Sequence, residues 1–151
     1  MNLEVLSSSE CRSLCREAAL LVRNRFRWLR ERAASGDRPL TLLFGDLAAD
    51  AERNLSEIRH LEGPGGPPPN SETEPVQQVA RGFLPSLSKT GGAERLDRES
   101  GFYLAECILA DLAEFYGALV RHTGDEPSKD LLQRSKLAAE SRLEFLRQVI
   151  L

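Results

Sequence analysis

The chain has 151 residues, of which 41% are hydrophobic and 28% charged, and its 20 basic and 23 acidic side chains leave a net charge of −3. That length suits one domain with its own core, and the acidic balance argues against non-specific nucleic-acid binding, which needs a basic excess. No apolar run approaches the roughly 20 residues that cross a bilayer, so no membrane insertion is expected. The opening MNLEVLSSSE has neither the basic nor the apolar part of a secretion signal. Three cysteines are an odd number for a disulfide framework. Cys11, Cys15 and Cys107 are expected to be small core residues in a reducing cytoplasm.

Ser7 and Glu10 have capping-box spacing, which predicts a helix from about residue 8. Leu14, Ala18, Ala19, Val22, Phe26, Leu29 and Ala33 fall on one face of it. Ser35 and Gly36 end that helix; Asp37 can cap the next, with Pro39 in its first turn. Leu43, Phe44, Leu47, Ala51, Leu55, Ile58 and Leu61 give the second helix its buried face, and Gly63-Pro64 stops it. Residues 63–96 hold six of the eight prolines and six of the eleven glycines. GPGGPPPNSETEP cannot sustain regular structure and reads as extended or mobile. A short helix is predicted after Thr73, over Glu74 to Arg81. Phe83, Leu84 and Leu87 then form an apolar cluster that must dock on the rest of the chain or on a partner.

Asp97 caps a third long helix that runs to about His122. Thr123-Gly124 ends it and Pro127 opens a fourth. Leu132, Leu137, Ala138, Phe145 and Val149 are read as the apolar face of that last helix. The predicted fold is therefore all-α: two antiparallel helical hairpins, at about 8–62 and 97–151, joined by a Pro/Gly-rich crossover at 63–96, making one domain over 1–151. The two hairpins overlay at an offset of 90 residues without a gap. Leu47-Ala48-Ala49-Asp50 then falls on Leu137-Ala138-Ala139-Glu140, Phe26 on Tyr116, Leu29 on Leu119 and Leu14 on Leu104. A register shared by two helices and a loop points to an internal duplication.

A four-helix bundle made of two duplicated hairpins with a long crossover resembles the ferritin-like superfamily, and rubrerythrin-like proteins in particular. The carriers are Val22-Arg23-Asn24-Arg25-Phe26, Leu47-Ala48-Ala49-Asp50, Glu114-Phe115-Tyr116 and Leu137-Ala138-Ala139-Glu140. The resemblance implies a di-iron site in which two helices each give a Glu and two give Glu-x-x-His. Carried onto this chain, those positions are degenerate. Ala19, Ala51, Leu109 and Ser141 stand where the glutamates belong, and Asn54 and Glu144 where the histidines belong. Asp111 stands near an additional carboxylate of some rubrerythrin-like third helices, so Asn54, Asp111 and Glu144 are expected to form a polar remnant in the core. They either hydrogen-bond one another or hold a single divalent ion. His60 and His122 suit the C-terminal ends of their helices.

Arg16, Arg23, Arg27 and Arg30 form a stripe on the first helix, and Asp46, Asp50 and Glu57 line one side of the second. They either pair within the hairpin or leave the arginines to an acidic protein partner. Trp28 flanks the main apolar face. The sequence holds no Gly-rich phosphate loop, nucleophile elbow or Cys-x-x-Cys. The expected function is therefore that of a non-catalytic bundle without cofactor that has lost its metal site and serves a protein partner or a homo-oligomer, through Arg16, Arg23, Arg27, Arg30, Phe83, Leu84 and Leu87. The alternative is an iron-binding oxidoreductase or iron-handling protein with an atypical ligand set.

Overall fold

Local sequence signals set the helix ends. In a computed structural model, which describes residues 7–33, 37–63, 73–89 and 96–150, α1 spans Ser8–Arg32 and begins at a capping box in which Ser7 and Glu10 each accept the other's backbone N–H. The second helix, α2, spans Arg38–Glu62; Asp37 accepts from the Leu40 amide at 3.1 Å, and Gly63 closes the helix at φ 70°, a left-handed conformation that glycine adopts without steric cost. Helix α3 covers Thr73–Phe83, followed by a 3-10 turn at Pro85–Ser88. The last two helices are α4, Arg98–His122, capped by Asp97, and α5, Glu126–Ile150, preceded by Asp125. Asp125 accepts from the Ser128 amide at 2.9 Å. Hydrogen bonds from Ser128 hold the Asp125 carboxyl below the ordinary range, and the Ser100 amide does the same for Asp97. Among the described residues the chain is all-α, without a β-strand. The Pro/Gly-rich stretch 64–72 and the Ser35-Gly36 stop lie outside the described residues.

Packing is densest within the pairs α1–α2 and α4–α5. The first pair is antiparallel, since Arg16 pairs with Glu62 and Arg23 with Glu52. Helix α3 lies on α1, and the 3-10 turn on α4. Leu84 and Leu87 are buried, and the Phe83 ring tilts against Phe115 at 5.8 Å. The apolar cluster of the crossover is thus part of the core, and Leu84 and Leu87 are not available to a partner. At the far end of the crossover the Leu96 amide donates to the Arg32 carbonyl at 2.7 Å.

The two hairpins repeat one burial pattern, but not at one offset. Buried Leu14, Ala18, Val22, Phe26 and Leu29 of α1 match buried Leu104, Ile108, Leu112, Tyr116 and Leu119 of α4, an offset of 90. In the second helices the match falls at 88: Phe44, Ala51, Leu55 and Ile58 correspond to Leu132, Ala139, Leu143 and Leu146. The loop at 33–37 has five residues and that at 123–125 has three, which accounts for the difference of two. Two residues turn a helix by about 200°, so the face expected to be buried on α5 points largely outward. Leu137, Phe145 and Val149 are 55%, 57% and 51% exposed, and of that predicted face only Leu132 is buried.

Gly101 of α4 meets α2 where a side chain has no room. A Cβ built there would stand 2.4 Å from Cδ1 of Leu40, which is itself fully buried. Gly101→Val should therefore lower stability by about 1–3 kcal/mol through overpacking, read as a lower urea midpoint at unchanged slope.

Candidate functional site

Small side chains on α1, α2 and α5 leave room near the middle of the bundle. A cleft of about 590 Å3 opens to solvent between α2 and α5. Its floor is Ala19, Val22, Phe26, Leu109 and Leu112 from α1 and α4, and Ala51 and Leu47 of α2 face Ala138 and Ala139 of α5. Ala51 and Ala139 stand at one level, as the Asp50–Arg142 pair fixes, and longer side chains there would close the gap. Of the six positions that the resemblance would make metal ligands, five, Ala19, Ala51, Asn54, Leu109 and Ser141, line the cleft.

The register of α5 changes two of those assignments. At the offset of 88 the counterpart of Ala51 is Ala139, not Ser141, and the counterpart of Asn54 is Arg142, not Glu144. Glu144 is exposed, on the side of α5 away from the cleft. Asp111 is also elsewhere, because its carboxylate accepts the Ser86 amide at 2.8 Å and so anchors the 3-10 turn to α4. The expected remnant of Asn54, Asp111 and Glu144 is therefore not assembled. Asn54 instead donates to the Tyr116 hydroxyl at 2.5 Å and accepts from the Ser135 hydroxyl at 2.9 Å. This chain ties α4, α2 and α5 together across the cleft wall. Burial pushes the Tyr116 phenol well above its ordinary value, so it stays neutral.

Two ion pairs span the mouth. Arg142 of α5 donates to Asp50 of α2 at 2.8 and 3.2 Å, and Arg134 donates to Glu57 at 3.2 Å. The Asp50 hydrogen bonds hold the Arg142 guanidinium above its ordinary value. Arg53 also pairs with Asp50. The α2 acids at Asp50 and Glu57 thus pair with α5, not with the α1 arginines as one of the two expectations had it. The α1 stripe finds other acids: Arg16 pairs with Glu62, and Arg23 and Arg27 share Glu52 at 3.1 and 3.3 Å. Arg30 lies across Gly45 of α2. The guanidinium groups of Arg32 and Arg25 lie over the Trp28 ring, 3.7 and 4.9 Å from its centroid.

The residues present do not fit a di-iron centre. Among the described residues no group of three or more His, Cys, Asp or Glu side chains is placed to hold a metal ion. The cleft floor offers only methyl, aliphatic and aromatic groups, which cannot balance the charge of two cations. Anaerobic reconstitution with ferrous iron, followed by desalting and elemental analysis, should give loading far below two irons per chain. Sequence reasoning missed the cleft itself and the Tyr116–Asn54–Ser135 chain. The signal available for the cleft was the alanine on the inner faces of three helices; the residue pairing across it was not readable without the register of α5. A second, shallower hollow of about 670 Å3 lies beside Phe83 between α4 and α5, and its rim carries Lys136, Glu140 and Arg147.

No helix among the described residues is long and apolar enough to cross a membrane. No family model, no curated protein and no solved structure matches this chain.

Proposed function

We propose that this chain is a non-catalytic, ferritin-like four-helix bundle derived by duplication, which has lost its di-iron site and works as a protein-interaction module through the α2–α5 face. One observation carries the reading: an apolar cleft of about 590 Å3 sits beside a helix whose Phe145 and Val149 stand more than half exposed. Exposed apolar side chains beside an apolar cleft rimmed by charge are what a contact surface presents. Four long helices of 25 residues each, and a burial pattern repeated between hairpins, support the duplication. The cleft offers no nucleophile–base pair and no ligand set, so binding is what its chemistry supports best. Three free cysteines, two of them buried, are compatible with a cytoplasmic setting.

Photo-crosslinking tests the reading. A benzophenone side chain introduced at Phe145 should give covalent adducts in the protein's own cells, and the same group at exposed Glu114, outside the cleft, should not. Equal labelling at both positions, or none at either, would reject the α2–α5 face as the contact surface.

A further inference from the structure

We propose that the occupant of the α2–α5 face is a second copy of this chain, related by a twofold axis that runs along the cleft. The proposal rests on the reading of that face as a contact surface and adds the partner and its orientation.

The argument starts from charge. At the cleft α2 carries Asp46, Asp50 and Glu57 with Arg53 among them, and α5 carries Arg134 and Arg142 with Asp130 beside Arg134, so the α2 side is net acidic and the α5 side net basic. A twofold axis parallel to the helices lays α5 of each copy on α2 of the other and keeps every residue at its own height. Asp50 then faces Arg142 of the other copy at the level where it already holds its own Arg142, and Glu57 faces Arg134 likewise. Each level becomes a square of four charges with alternating sign. The perpendicular twofold would set α2 on α2 and acid on acid, which is repulsive. One self-complementary orientation therefore stands out, as a closed isologous dimer requires.

Shape points the same way. Since Arg142 is level with Asp50 and the helices are antiparallel, Phe145 is level with Leu47 and Val149 with Leu43. The axis brings Phe145 of one copy over Leu47 of the other and joins the two open clefts into one enclosed apolar space. The extent also suits a dimer. Two helices of about 37 Å, each about 10 Å wide, present roughly 750 Å2 per copy, against about 800 Å2 for a stable interface.

Sedimentation equilibrium of the full chain at about 100 µM should give twice the monomer mass. Phe145→Glu should raise the dissociation constant at least about 100-fold and leave unchanged the helix content, and the melting temperature taken where both chains are monomeric, because Phe145 is exposed within one chain; Val149→Glu, also about half exposed, is a second variant of the same face. Arg142→Glu should weaken the dimer, and adding Asp50→Arg should restore it, since the swap rebuilds the alternating square. A monomeric wild type, or a dimer indifferent to Phe145→Glu and Val149→Glu, overturns the proposal. The adduct at position 145 separates it from the broader reading. A self-adduct supports the dimer. An adduct to a different protein from a monomeric chain leaves the contact surface standing and removes the second copy as its occupant. No adduct at all removes both.

Discussion

Arg16→Met is expected to cost about 3–5 kcal/mol, a large share of the roughly 5–15 kcal/mol that holds a domain of this size together. Arg16 stands between two carboxylates that are nearly sealed from water: its side chain is 13% exposed, that of Glu17 1% and that of Glu62 8%. It hydrogen-bonds Glu62 and lies 4.0 Å from Glu17, whose other oxygen accepts from Gln77 of α3 at 3.1 Å. Methionine fills similar space but leaves two buried negative charges without a cation, and the penalty comes from that orphaned charge more than from the lost pair. One consequence identifies the cause. The triple variant Arg16→Met, Glu17→Gln, Glu62→Gln should recover most of the loss at neutral pH, because it removes the orphaned charges. Thermal melts of the single and triple variants decide it. A triple variant no more stable than Arg16→Met would mean that Arg16 acts through packing alone.

Phe44→Ala is expected to cost about 3–5 kcal/mol, whereas Phe145→Ala should stay within about 0.5 kcal/mol for the single chain. Phe44 is fully buried and stacks on Phe26 across the α1–α2 seam, with centroids 6.2 Å apart and planes 27° apart. Removing it leaves a void that the helices cannot close. Phe145 is 57% exposed and has little to lose. Urea midpoints of the two variants, taken at a concentration where the chain is monomeric, measure the contrast directly. Equal costs would place Phe145 in the core and would refute the α5 register on which the cleft and its twofold pairing depend.

The helix ends were readable in the sequence because capping is local. Ser7 with Glu10, Asp37, Asp97 and Gly63 act within four residues of themselves, and each is found at the boundary its residue type implies. The α1 face was equally legible, since its apolar residues form a single stripe. Of the positions that the resemblance singles out, Ala19, Ala51, Asn54, Leu109 and Ser141 line one cleft, while Asp111 and Glu144 lie elsewhere.

What only the tertiary structure decided was the rotation of α5. Its sequence carries two apolar stripes, one through Leu131, Leu132, Ala139, Leu143 and Leu146 and another through Leu137, Ala138, Phe145 and Val149, and either satisfies the helical period by itself. The 90-residue offset selects the second stripe, whereas the shorter loop after α4 turns the first one inward. Periodicity reports that a helix has an apolar face. Which of two faces is buried depends on what stands opposite, and that is a property of the packed chain rather than of the helix.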